Sequence, residues 1–151
     1  MLSQGDPLEP RHQFYYAREL YYHERYEDAV RVFRAFLQEP DGWVENKIDA
    51  CLHLALCEEH LGHTEKAVEA LLKSFLYDSP RGEACCELGR MKMKEEKYRE
   101  AAYWYTQALS SRPAEQTGAF VRKAVTASCL LFSCVYAMTV WATTEEHGII
   151  T

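Results

Sequence analysis

The sequence RYEDAV at residues 25–30 recurs as HTEKAV at 63–68 and as KYREAA at 97–102. The three copies share an alanine, and the intervals between these alanines are 38 and 34 residues: Ala29, Ala67 and Ala101. The same side-chain pattern surrounds each one. Twelve residues before each shared alanine lies another small residue: Ala17, Ala55 and Gly89. A bulky residue directly precedes each of these: Tyr16, Leu54 and Leu88. Four residues after each shared alanine lies a large residue: Phe33, Leu71 and Tyr105. A fixed period of this length indicates an array of repeated supersecondary units.

The small residues predict close contacts between helices. Where a small residue lies on each helix of an antiparallel pair, the helices approach closely and the large neighbours fill the remaining space. Each such hairpin keeps a second apolar face that it cannot bury alone, so consecutive hairpins are expected to stack. Pro40 and Pro80 interrupt the chain between hairpins, and Pro113 follows the third hairpin.

The pattern predicts an all-α fold. The expected helices span 12–23, 27–38, 43–60, 64–77, 82–95 and 98–111. Three stacked helical hairpins then occupy residues 12–113, after a disordered lead-in at 1–11. A linker at 114–122 and an apolar tail or helix at 123–151 complete the predicted organisation. No alternation typical of strands competes with this assignment.

The arrangement resembles the tetratricopeptide repeat over residues 12–113. The resemblance implies an α-solenoid in which the first helix of each hairpin lines a concave groove. The sequence departs from the usual pattern in two ways. The second repeat carries four extra residues near Trp43, and the aromatic residue usual three positions after the first small residue is replaced by Glu58 and Lys92 in the second and third repeats.

Four strings resemble, more specifically, the helical repeat region that follows the catalytic domain in many bacterial family 2 glycosyltransferases. They are Phe14 to Leu20, Gly42 to Glu45, Ser79 to Ala84, and Tyr103-Trp104-Tyr105 with Ala108-Leu109. This resemblance spans nearly all of residues 11–122 and implies a parent whose repeats hold the acceptor or another copy of the enzyme. The sequence contains no Asp-x-Asp metal site and no Gly-rich phosphate loop, so transferase activity is not expected of this chain.

The composition argues against several function classes. The 151 residues carry 23 acidic and 17 basic side chains, a net charge of −6, which opposes nucleic-acid binding because phosphates need clustered positive charge. The six cysteines lack the spacing of zinc ligands, so we expect reduced, mostly buried thiols and neither a metal nor a cofactor. Residues 1–12 lack the apolar core of a signal peptide, and a cytoplasmic location is expected.

Histidines and paired glutamates are the candidates for chemistry. His53, His60 and His63 lie near one predicted turn, and we interpret them as a solvated helix end rather than a metal site. Glu58-Glu59 and Glu95-Glu96 are adjacent carboxylates. Because adjacent helical residues point about 100° apart, each pair is interpreted as a solvated face and not as a catalytic pair.

A partner-binding groove is the main predicted site. Aromatic and cationic side chains on the first helix of each hairpin suit a protein or peptide partner, and self-association is the alternative. The candidate groove residues are Phe14, Arg18, Tyr21, Tyr22, Leu52, Leu56, Arg90 and Met93. Ordinary packing between neighbouring hairpins is the alternative explanation for these side chains.

The C-terminal segment has two interpretations. Residues 124–143 carry no charge, and as a helix they would span about 30 Å, the thickness of a bilayer core, which predicts a membrane anchor. The preferred hypothesis is a shifted reading frame over 123–151. The single codons of Met138 and Trp141 then force an Asp and a Gly, which fall where a further repeat of the same kind requires them.

A frameshifted tail has a structural consequence for the third hairpin. That hairpin would expose part of an apolar face, through Trp104, Tyr105 and Leu109, that was made for a missing neighbour. The tail is then expected to cover this face without matched packing.

The sequence therefore favours a non-catalytic interaction or scaffold module detached from a glycosyltransferase-like parent. One alternative is an accessory subunit of a glycosyltransferase whose catalytic domain is encoded separately. The other is a repeat adaptor held at a membrane through residues 124–143.

Overall fold

The computed structural model describes residues 9–110 and 135–143, and within these ranges it contains helices and no strand. The helices are, in chain order, α1 Pro10–Tyr22, α2 Tyr26–Gln38, α3 Val44–His60, α4 Thr64–Lys73, α5 Gly82–Lys94, α6 Tyr98–Ser110 and α7 at 135–143. Helices α1 and α2, α3 and α4, and α5 and α6 pack as hairpins, so the predicted all-α class is confirmed. Residues 1–8 of the predicted lead-in at 1–11, the linker at 114–122 and most of the tail lie outside the described residues.

The chain forms two compact units. The N-terminal unit ends at Ser79 and contains the first two hairpins, with α3 packed against both α1 and α2. The C-terminal unit begins at Pro80 and contains the third hairpin together with α7.

The observed helix bounds follow the predicted ones to within one residue except at two helix ends. Helix α1 begins two residues early, at Pro10, because the fixed φ and missing N–H of proline suit the first position of a helix. Helix α4 gives way after Lys73 to a 3-10 turn, Ser74–Leu76, where the Ser74 hydroxyl donates to the Leu71 carbonyl at 2.6 Å. Helix α3 has 17 residues against 13 in α1 and α5, so the four extra residues of the second repeat lie in its first helix, as predicted.

Every hairpin turns through one residue in the left-handed backbone region. These residues are Glu24 with φ 60°, Gly62 with φ 80° and Glu96 with φ 60°. In each turn the next N–H donates to the carbonyl five positions earlier, as in Arg25 to Leu20 at 2.9 Å, His63 to Glu58 at 2.8 Å and Lys97 to Lys92 at 2.9 Å. This Schellman pattern satisfies the last carbonyls of the first helix. The second helix of each hairpin therefore starts at the same register.

The shared alanines occupy the tightest positions. Ala29, Ala67 and Ala101 are all fully buried, as the repeat register predicts. Gly89 shows why a small residue is needed, since a Cβ placed there would lie 2.8 Å from Cε1 of Tyr105 across the α5–α6 contact. The Tyr105 ring on α6 thus occupies the space that a side chain at position 89 would need.

The prediction for one bulky position of the pattern is wrong. The pattern predicts that Tyr16 fills space beside Ala17, but Tyr16 is 45% exposed. The core of the N-terminal unit is filled from α1 by Phe14 instead, whose ring centroid lies 5.5 Å from that of Phe36 and 6.5 Å from that of Phe33. Residues 14 and 17 are three apart and share one face of α1, whereas residue 16 points away from it.

Lys47 joins the first hairpin to the second. Its ammonium group donates to the carbonyl oxygens of Phe36 and, at 2.7 Å, of Glu39, and it lies 4.2 Å from the ring centroid of Phe36. Burial lowers the pKa of Lys47, and the carboxylates of Glu39 and Asp41 partly oppose that shift. A cation at the C-terminus of α2 compensates the partial negative charge of the last carbonyls.

The described part of the tail is a short helix that contacts α6. In α7, Ala137 is buried and the ring of Trp141 lies 5.8 Å from the guanidinium carbon of Arg99. Among residues 9–110 and 135–143, no helix has both the length and the apolar character needed to cross a bilayer. The anchor hypothesis for 124–143 falls partly on residues outside those ranges, and the frameshift hypothesis stays a prediction.

The exposed face expected on the third hairpin is present only in part. Tyr103 and Leu109 are exposed and Trp104 is half-buried, but Tyr105 is buried, which corrects the expectation for that residue. Its ring is taken up by the contact with Gly89 inside the hairpin.

We expect Ala67→Leu to destabilise the N-terminal unit by about 1–3 kcal/mol, because three added carbons would overpack the α3–α4 contact. Urea unfolding followed by circular dichroism measures the effect. The matched control is Ala35→Leu, since Ala35 is exposed on α2. Equal stability of the Ala67 variant and the parent chain would show that the repeat register is wrong.

Candidate partner-binding surface

The predicted groove residues differ in how far they reach the surface. Phe14 and Leu52 are buried, so in this structure their side chains offer nothing for a partner to contact. In the N-terminal unit Tyr22 is exposed, while Arg18, Tyr21 and Leu56 are half-buried. In the C-terminal unit Arg90 and Met93 are half-buried on α5, and Arg90 donates to the Glu87 carboxylate at 2.6 Å. The surface that the structure brings together is therefore the α1–α3 face of the N-terminal unit.

Arg18 and Tyr22 form the polar part of this α1–α3 face. They are one turn apart on α1, and the Nη2 group of Arg18 donates a hydrogen bond to the Tyr22 hydroxyl at 3.2 Å. The guanidinium carbon of Arg18 lies 5.6 Å from the ring of Phe14 and 5.8 Å from that of Tyr22. Cation–π attraction to these two rings helps to hold the guanidinium in position.

The environment of Arg18 favours its charged form. Burial lowers the pKa of Arg18, but the hydrogen bond with Tyr22 and the nearby Asp49 carboxylate raise it, and the net pKa lies above its ordinary value. The Nε–H of Arg18 is buried and has no hydrogen-bond partner. The guanidinium is consequently a cation held in position on α1, with its Nε–H turned away from solvent.

His53 supports the aromatic part of the same face from α3. Its Nδ1–H donates to the Asp49 carbonyl at 2.9 Å, which fixes the ring orientation. The Tyr21 ring meets it edge-on at 5.1 Å between centroids, and Tyr22 lies at 6.4 Å with the same interplanar angle of 85°. Offset and edge-on aromatic pairs of this kind are individually favourable.

The α1–α3 face thus combines a cation, a phenol hydroxyl and apolar rings on two rigid helices. Such a surface can bind a chain segment by burying apolar side chains on the rings while the guanidinium and the hydroxyl bond to carbonyl or carboxylate oxygens. Sequence reasoning missed the contribution of Asp49. Its spacing of four residues from His53 on a predicted helix was the signal that could have found it.

The three histidines serve separate contacts. His53 is buried, which corrects its assignment to a solvated helix end, while the ring of His60 stacks on Tyr26 at 4.3 Å and 3°. His63 contacts Glu58 through Nδ1 at 2.7 Å. Within the described parts of the chain no group of three or more His, Cys, Asp or Glu residues could hold a metal ion.

Glu58 is buried and ion-paired, so its interpretation as part of a solvated face is wrong. Its carboxylate accepts hydrogen bonds from Arg34 on α2 at 2.9 Å and from His63 at 2.7 Å. Burial raises the pKa of Glu58, but these two bonds more than offset it, and the net pKa is below its ordinary value. The second pair, Glu95-Glu96, does lie at an exposed turn.

The cysteines that the structure describes are free thiols. Cys51, Cys57 and Cys85 are buried, and Cys86 is half-buried. Burial raises the pKa of Cys51 and Cys57 to about 12 and that of Cys85 and Cys86 to about 11, so these thiols are poor nucleophiles. Cys129 and Cys134 lie outside the described residues.

Comparison with known proteins identifies the repeats. The family model for the tetratricopeptide repeat matches residues 48–79 and 82–115. The first hairpin lies outside both matched ranges, yet it shares the buried alanines and the turn of the other two. No curated protein matches the chain.

We expect Glu58→Gln to lower stability by about 1–3 kcal/mol at neutral pH, because Arg34 and His63 lose a buried anionic partner. Since the folded-state pKa of Glu58 is depressed, its contribution is complete above the ordinary carboxyl pKa of about 4.3 and is lost as the pH falls below it. The stability difference between parent and variant should therefore shrink below about pH 4.5. Urea unfolding between pH 3 and 7 measures it.

The control for this prediction is Glu69→Gln, an exposed glutamate on α4. That change should leave stability within about 0.5 kcal/mol of the parent. A Glu58 difference that stays constant down to pH 3 would contradict the ion-pair account.

Proposed function

We propose that the tetratricopeptide repeats of this chain form a non-catalytic interaction module, with the α1–α3 face of its N-terminal unit as the surface that holds a protein or peptide partner. Tetratricopeptide repeats are found at residues 48–79 and 82–115, and such repeats generally bind other proteins. The observation that carries the proposal is the Arg18–Tyr22 pair, whose partly exposed groups lie one turn apart on α1, a helix that packs against α3.

The chemistry of the α1–α3 face favours an extended or helical peptide over a small metabolite. Tyr22 and Leu56 supply apolar area, and Arg18 supplies a cation that is already stacked on aromatic rings. Tyr and Arg are the side chains that most often dominate binding energy at protein interfaces. Because α1 and α3 are rigid elements, little conformational freedom is lost on binding.

The relation to glycosyltransferases belongs to this proposal and rests on the sequence strings alone. In the structure Ala17, Leu20, Ala84 and Ala108 from those strings are buried, so packing accounts for them in any parent. An accessory role beside a separately encoded catalytic domain, self-association, or attachment to a membrane through 124–143 would each use the repeats as a binding module. Cytoplasmic location and bacterial origin are part of the same proposal.

The α1–α3 face is tested by selecting peptides from a random display library on the purified chain and measuring their affinities by calorimetry. Tyr22→Ala and Arg18→Ala should each weaken the selected peptides by about tenfold or more, as loss of a central interface residue does. Arg31→Ala, an exposed change on α2, should leave affinity unchanged. Peptides that bind the Tyr22 and Arg18 variants as tightly as the parent would refute this surface.

The non-catalytic part of the proposal predicts that the isolated chain does not bind uridine diphosphate-glucose at micromolar concentration, with or without Mn²⁺. The sequence supplies no Gly-rich loop to hold the diphosphate. Calorimetric titration checks this, and saturable, metal-dependent binding or release of glucose would contradict it.

A further inference from the structure

A cavity of about 640 Å³ opens at the end of the N-terminal unit where α1 begins and α2 passes into α3. Its volume is within the range of ordinary ligand sites. The α1–α3 face is built from other residues: Arg18, Tyr22 and Leu56 do not line this cavity. The cavity is therefore a separate feature of the same unit.

Exposed aromatic rings form the walls of the cavity. Trp43 precedes α3 and is 64% exposed, and Tyr15 on α1 is 43% exposed. Phe36, fully buried, contributes to the floor. Trp43 immediately precedes α3, the helix that carries the extra length of the second repeat, and its side chain makes no capping hydrogen bond to that helix. Large aromatic side chains left in water around a concave site commonly mark an interaction surface.

The charges of the lining favour a cation. Glu9 and Asp41 contribute two carboxylates against one guanidinium, that of Arg11. Lys47 is not among the lining residues: its ammonium group donates to carbonyls at the end of α2, and it also interacts with the Asp41 carboxylate. The net charge of −6 on the whole chain adds a long-range attraction for a basic partner.

The contact between Arg11 and Tyr15 shows how a guanidinium group can lie against the aromatic rings of the cavity. Its guanidinium carbon lies 5.8 Å from the ring centroid of Tyr15. Arg11 is exposed at the start of α1 and can be displaced by a ligand cation. Trp43 offers a larger ring, and indole is the side chain with the strongest cation–π attraction.

We infer that this cavity is a second binding site, which takes an arginine or lysine side chain from a basic peptide segment of a partner protein. The cation lies against the rings of Trp43 and Tyr15, and the carboxylates of Asp41 and Glu9 pair with it. Neither an acidic segment nor an apolar one matches both the rings and the carboxylates.

The test titrates the full chain with hexaarginine amide and follows the tryptophan indole signals by ¹H–¹⁵N correlation spectroscopy. The three tryptophans give three signals, and Trp43→Phe identifies the one at the cavity. That signal should shift saturably, while the signals of Trp104 and Trp141 serve as internal references. Because the interaction is partly electrostatic, its affinity should fall as salt is raised from 0.05 to 0.5 M.

Tyr15 and Tyr16 provide a matched pair of variants. They are adjacent on α1 and equally exposed, at 43% and 45%, but only Tyr15 lines the cavity. Tyr15→Ser should weaken hexaarginine binding by about fivefold or more and Tyr16→Ser by less than about twofold. Asp41→Asn should also weaken it, which gives a second variant on an exposed loop residue.

The inference is overturned if the Trp43 signal does not shift saturably, or if the two tyrosine variants bind equally well. It is also overturned if hexaglutamate or hexaproline amide binds more tightly than hexaarginine amide. Failure of the α1–α3 face would appear instead in the Arg18 and Tyr22 variants, so the two proposals fail independently.

Discussion

The close approach of paired helices at small residues is the constraint on which the rest of the structure depends. Ala29, Ala67 and Ala101 have no exposed surface, and Gly89 leaves room only for the ring of Tyr105. Packed interiors tolerate little change in volume at such points. Because each approach is fixed, the first helix of a hairpin holds a constant position, and its remaining faces become available for contacts with a partner.

Polar side chains at two repeat positions reinforce the hairpins. Where an aromatic residue is usual, Glu58 and Lys92 form ion pairs that bridge elements: Glu58 with Arg34 and His63, and Lys92 with Glu95 and Glu100 at 3.3 Å each. The two sites differ in environment. Glu58 is buried and joins the first hairpin to the second, whereas the partners of Lys92 lie near the exposed turn of the third hairpin. The buried pair is therefore expected to matter more to stability.

The period of the sequence was sufficient to predict the helices, the hairpin register and the site of the extra turn in α3. It was not sufficient for the surface. Tyr15 and Tyr16 are alike in sequence, and only the position of the α2–α3 connection makes Tyr15 part of a cavity. The resemblance to the tetratricopeptide repeat predicts that Phe14 occupies a first-helix position that lines the groove, but its ring packs against Phe33 and Phe36 in the core. Burial of Glu58 likewise depends on Arg34, 24 residues away, which no local pattern specifies.

A double-mutant cycle between Gly89 and Tyr105 tests the central claim most directly. In a helix interior Gly→Ala normally stabilises by about 1 kcal/mol. Here Gly89→Ala should instead destabilise by about 1–3 kcal/mol, because the new methyl group meets the Tyr105 ring. In the Tyr105→Leu background the same change should cost at least about 1 kcal/mol less, as measured by urea unfolding. A Gly89→Ala change that stabilises the parent chain, or that has the same effect in both backgrounds, would contradict the account.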